Sequence, residues 1–183
     1  GIGEMAVWMA RTDAYSKATP ATDTLVYNVN VKPDFGANNT NYPYTIVSAD
    51  KQAVYNALGI QQSDIQSKLG STVIYGAINP TGLINTTSTA GSPGHWFDKN
   101  GAVTVFNSNA TVYSELDLAN LAFRIGLRPG LSKEGDKFTI KQALTYTPDN
   151  TATRVAFKFN VTVTNSTGIN DLNNSDKTQI FTI

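Results

Sequence analysis

Val155, Phe157, Phe159, Val161 and Val163 alternate with Ala156, Lys158, Asn160, Thr162 and Thr164. Successive side chains on a strand point to opposite faces, so this spacing puts the large apolar groups on one side and leaves the other mostly wet. A strand of this kind belongs to an antiparallel sheet with one buried face, and that face needs a second apolar layer to close it.

The same period recurs along the chain. Leu25, Tyr27, Val29 and Val31 alternate with Asn28 and Asn30 until Pro33 stops them. Thr72 to Ile78 is an apolar strand, followed by the turn Asn79-Pro80-Thr81-Gly82. Val112, Ser114 and Leu116 oppose Tyr113 and Glu115, and Leu121, Phe123, Ile125 and Leu127 oppose Ala122, Arg124 and Gly126. Phe138 and Ile140 begin a strand running towards Tyr146, with turns at Pro129-Gly130 and Pro148-Asp149-Asn150 on either side. Shorter extended segments are expected at Pro43–Val47 and Val103–Phe106, and Gln179–Ile183 reads either as a last strand or as the stub of a longer protein. Residues 5–10 are apolar at both strand faces, and residues 11–23 read as a loop.

One helical island interrupts this pattern. Asp50 caps a short helix bearing Ala53, Val54, Ala57 and Leu58, which Gly59 ends. Ser63-Asp64-Ile65-Gln66 matches a capping box, so a second helix is expected from Asp64 through Leu69 to Gly70. Each helix is too short to be stable alone and must dock on a sheet. The chain is thus expected to be one all-β domain over residues 1–183, with residues 1–23 an N-terminal strand and loop. Its architecture is an antiparallel β-sandwich, jelly-roll or Ig-like, with a two-helix insertion around residues 50–70.

Charge narrows the function. Only 15% of the 183 residues are charged and the net charge is zero, so nucleic acid is not an expected partner. No apolar run reaches the roughly 20 residues that span a bilayer. There is no cysteine, which excludes disulfides, thiolate metal sites and thiol catalysis. The start Gly1-Ile2-Gly3 reads as trimmed, with any signal peptide removed.

Gly91 to Gly101 is the most distinctive stretch: it holds the only histidine, His95, and one of two tryptophans, Trp96. Residues 85–102 carry few strand signals and predict a long ordered loop. One reading is a ligand platform: the Trp96 indole stacks on a sugar while His95, Asp98 and Asn100 bind hydroxyls. The other has Trp96 and Phe97 plugging the end of the sandwich, with His95 and Asp98 satisfying loop backbone. Catalytic constellations are poorly supported. No Gly-x-Ser-x-Gly elbow accompanies the histidine, a lone histidine is an unusual zinc ligand set, and Glu115 with Asp117 reads as easily as a surface pair. No catalytic residue, metal or cofactor is therefore expected.

Several landmarks carry a resemblance. They are Ala57-Leu58-Gly59-Ile60, Asp64-Ile65 with Leu69-Gly70, Pro93-Gly94-His95-Trp96-Phe97-Asp98 with Gly101, Phe123-Arg124-Ile125-Gly126 with Pro129-Gly130, and Gly135-Asp136 with the strand into Leu144. Over residues 45–164 the chain resembles an uncharacterised domain family of secreted Bacteroidetes proteins, found in surface lipoproteins and beside glycoside hydrolase domains. The resemblance implies export to the extracellular or outer-membrane surface, with any lipid anchor outside this stretch, but no activity. The expectation is a non-catalytic accessory module that binds polysaccharide or a cell-surface glycan. The alternative is a structural spacer or a protein-interaction and adhesion domain without a small-molecule ligand.

Overall fold

A computed structural model of the chain describes residues 24–33, 44–68, 72–87, 94–146 and 153–164. Two five-stranded sheets face each other. The first is ordered β1 (Thr24–Val31), β10 (Thr153–Val163), β9 (Lys137–Tyr146), β3 (Val73–Ile78) and β4 (Ile84–Asn85). The second is ordered β2 (Thr45–Ser48), β8 (Ala122–Leu127), β7 (Val112–Asp117), β5 (Gly94–Phe97) and β6 (Val103–Thr104). Among the described residues every ladder is antiparallel except one: edge strand β1 runs parallel to β10.

The expected alternation sets the inner faces. Phe157 and Phe159 on β10 are fully buried, and Phe123 on β8 meets them at ring-centroid distances of 4.8 and 4.9 Å. Val161, Ile140, Leu144, Val112, Ile125 and Leu127 complete one continuous core between the layers. The order of the sheet explains why β10 carries the strongest pattern. It lies between β1 and β9, so all its backbone groups can pair and one side-chain face can be wholly apolar.

The helices close one part of the sandwich. Asp50 Oδ1 accepts from the Ala53 amide at 3.1 Å, α1 spans Lys51–Leu58, and Gly59 ends it at φ +70°. Val54 and Leu58 join the main core, and the Asp50 amide donates to the Tyr27 hydroxyl of β1 at 3.0 Å. The second cap differs from the expected one. Helix α2 is Gln62–Lys68, so Ser63 lies inside it; Asp64 instead reaches back, accepting from the Gln61 amide at 3.2 Å. The short side chain that wins is the one three residues after the true cap position, as in the acidic half of a capping box. The expected strand at residues 5–10, the segment at 179–183, the loop at 11–23, and Leu69 and Gly70 lie outside the described residues.

Candidate functional site

Gly94-His95-Trp96-Phe97 is a strand, not part of a long loop. β5 pairs with β7 through Gly94–Glu115, His95–Ser114, Trp96–Tyr113 and Phe97–Val112, and with β6 through Trp96 and Phe97. All four residues are buried, so the two-residue alternation has no polar phase to reveal it. β4 reaches only the first residue of the expected loop, Asn85, and β6 (Val103–Thr104) lies in the extended segment expected at Val103–Phe106.

Being adjacent on a strand, His95 and Trp96 point to opposite faces of the second sheet. His95 points inward and is 1% exposed. Its ring lies edge-on to Tyr75 at 5.3 Å and close to Phe97 at 6.4 Å. Nδ1 has no hydrogen-bond partner, and burial lowers the imidazole pKa from 6.5 to about 4, so the ring is neutral at pH 7. Beside it runs a buried polar chain between the sheets. The Tyr75 hydroxyl donates to Gln142 Oε1, and Gln142 Nε2 donates to Ser114 Oγ at 2.9 Å. Burial pushes the Tyr75 phenol well above its ordinary range, so it stays a donor.

Trp96 faces outward yet is only 6% exposed. Tyr113 and Phe106 lie against it at 5.1 and 5.3 Å, and Tyr44 extends the cluster beyond Tyr113. Gly94 makes this possible: a Cβ there would collide with the Tyr113 ring and hydroxyl. The Tyr113 hydroxyl donates to Glu115 Oε1 at 2.8 Å, and burial together with that carboxylate raises its pKa far above 10.0. Arg124 then links Glu115 at 3.0 Å and Asp117 at 3.3 Å.

Asp98 and Asn100 form the hairpin turn into β6. Asp98 Oδ1 accepts from the amides of Asn100 and Ala102 at 2.8 and 3.0 Å, and Gly101 takes φ +85°. The four residues expected to share a sugar site are therefore divided among the interior, the outer aromatic cluster and a turn. Sequence reasoning passed over Tyr75, Ser114 and Gln142, which ordinary strand alternation hides. Arg128 donates to the carbonyls of Asn107 and Ala110 and stacks over Phe106 at 4.5 Å. Among the described residues no group of three or more His, Asp or Glu is placed to hold a metal ion. No described helix is long and apolar enough to cross a membrane.

The model of a family described as a domain of unknown function, DUF4859, matches residues 41–153. The chain belongs to this family. All the landmarks from Ala57 to Leu144 fall inside the DUF4859 span, which contains β2 through β9. Strand β1, and β10 beyond its first residue, lie outside that span although they supply one side of the core. No curated protein and no solved structure matches the chain.

Proposed function

We propose that this domain is a non-catalytic accessory module of an exported, surface-attached bacterial protein, acting as a spacer or interaction domain through its sheet faces. The observation that carries this reading is the burial of Trp96 beneath Phe106 and Tyr113, which leaves no broad indole face for a sugar. Two further features support it. Glu115 and Asp117, the carboxylates closest to a hydrolytic pair, share the Arg124 guanidinium. Asp98 spends an oxygen on turn amides. Export is supported by the resemblance to secreted proteins, and the cysteine-free sequence is compatible with it.

Calorimetry against a panel of neutral plant and host glycans, with wild type and Trp96→Ala, tests the reading together with an assay for released sugar. The expected result is no heat and no product, with Trp96→Ala lowering the unfolding midpoint. Heat from wild type that disappears in Trp96→Ala at an unchanged midpoint would restore the platform of His95, Trp96, Asp98 and Asn100. Released sugar would make the domain an enzyme.

A further inference from the structure

The outer face of the first sheet carries three rows of side chains on three adjacent strands. In one row Lys141 stands opposite Lys158, and Lys158 beside Val26. The middle row is Thr139, Asn160 and Asn28; the third is Lys137, Thr162 and Asn30. All are exposed or half-buried. The middle row is a hydrogen-bonded ladder: Thr139 Oγ1 donates to Asn160 Oδ1 at 3.3 Å, and Asn160 Nδ2 donates to Asn28 Oδ1 at 3.1 Å.

Like charges directly opposite on neighbouring strands destabilise a sheet. Lys141 and Lys158 are such a pair, and no Asp or Glu stands in the three rows to offset them. The ion pairs among the described residues lie elsewhere, at Arg124 on the second sheet and between Lys133 and Asp136 in the β8–β9 turn. The fold itself gains nothing from placing these lysines face to face, which points to a ligand that does.

We propose that this face binds a linear acidic polysaccharide in which carboxylated and neutral sugars alternate. Rows on one face of a strand repeat every two residues, so the two cationic rows lie about 13 Å apart with a neutral row between them. Lysines meet the carboxylates, and the Thr and Asn side chains, which both donate and accept, meet the hydroxyls of the intervening sugar. Duplex DNA presents a charge about every 1.7 Å, far denser than this spacing. Single strands are held on aromatic platforms, and these rows contain no aromatic residue. Asn28 and the β10 residues Lys158 and Asn160 lie outside the span matched by the family, whereas Lys137, Thr139 and Lys141 on β9 lie inside it. The inference rests on the interaction-module reading in taking a sheet face as the working surface.

The test is calorimetry of the intact chain at low salt with hyaluronan oligosaccharides, neutral dextran, a single-stranded DNA oligonucleotide and phosphatidylserine vesicles. Hyaluronan should bind, dextran should not, and affinity should fall as salt rises. The double variant Lys141→Gln/Lys158→Gln should weaken binding about tenfold and lower the slope of log affinity against log salt by roughly one to two. Its unfolding midpoint should hold or rise, because the like-charge pair is gone. Asn160→Val should weaken hyaluronan and leave any DNA binding unchanged. No hyaluronan binding, unchanged affinity in the double variant, or equally tight DNA or vesicle binding indifferent to Asn160 would overturn the proposal. Each of those results leaves the accessory-module reading standing, whereas released sugar would sink that reading alone.

Discussion

The side-chain amide of Gln142 on β9 donates to the hydroxyl of Ser114 on β7, 2.9 Å away across the sandwich. With Tyr75 it forms a polar tie beside the buried His95 in a largely apolar core. Ser114→Ala should cost about 1–3 kcal/mol, because it leaves a buried amide N–H unpaired. The triple variant Ser114→Ala/Gln142→Met/Tyr75→Phe should lose less than the sum of its parts, since all the polar partners leave together. Urea unfolding of the single, paired and triple variants measures this; strict additivity would show that the three groups act independently.

His95 predicts an acid-sensitive window. Its folded pKa, about 4, lies below the ordinary 6.5, so the unfolded chain binds a proton that the folded chain refuses. Stability should therefore be full above pH 6.5 and fall as pH drops towards about 4, by up to about 3 kcal/mol. Asp117 is held below the ordinary carboxylate value of 3.8 mainly by Asn120, and Asp136 mainly by the Lys133 amide. Their losses therefore fall at still lower pH. Urea unfolding across this range should show the slope in wild type and a flat profile in His95→Gln.

The two helix starts should respond differently to alanine. Asp50→Ala removes the acceptor for the Ala53 amide and should cost about 0.5–2 kcal/mol. Ser63→Ala changes an exposed residue within α2 and should stay within about 0.5 kcal/mol. Thermal unfolding of both variants checks the ranking, and an equal or larger loss at Ser63 would contradict the observed cap.

Phe157 and Phe159 are fully buried against Phe123, so replacing either by alanine opens a cavity that the rigid sheets cannot collapse. Each substitution should cost about 3–5 kcal/mol. Denaturant unfolding of the two variants reads the loss directly, and a cost below about 1 kcal/mol would place the ring outside the core.

Much of the sandwich was legible because its longer strands put their large apolar side chains on one face, although Tyr113, Ala122 and Gly126 on the outer face of β7 and β8 are buried as well. Val155 to Val163, Leu121 to Leu127 and Val112 to Leu116 each separate inward from outward residues by simple alternation. β5 was not legible, because a four-residue strand buried on both faces has no alternation and its glycine looks like loop punctuation. The cap of α2 was missed by two residues, since Ser63 and Asp64 are both competent capping side chains and only the path of the chain chooses between them.

By itself, then, the order of apolar and polar residues determined that this chain makes strands, which side chains of the long strands face inward, and where Asp50 and Gly59 bound a helix. Those properties depend on local geometry and on a period of two. Tertiary structure alone decided that β1 pairs in parallel with β10, that His95 and Trp96 serve opposite faces, and that Lys141 meets Lys158. These are relations between residues far apart in the chain or between the two sides of one strand. Sheet order, register and the closing of a second layer set them, and no local pattern contains that information.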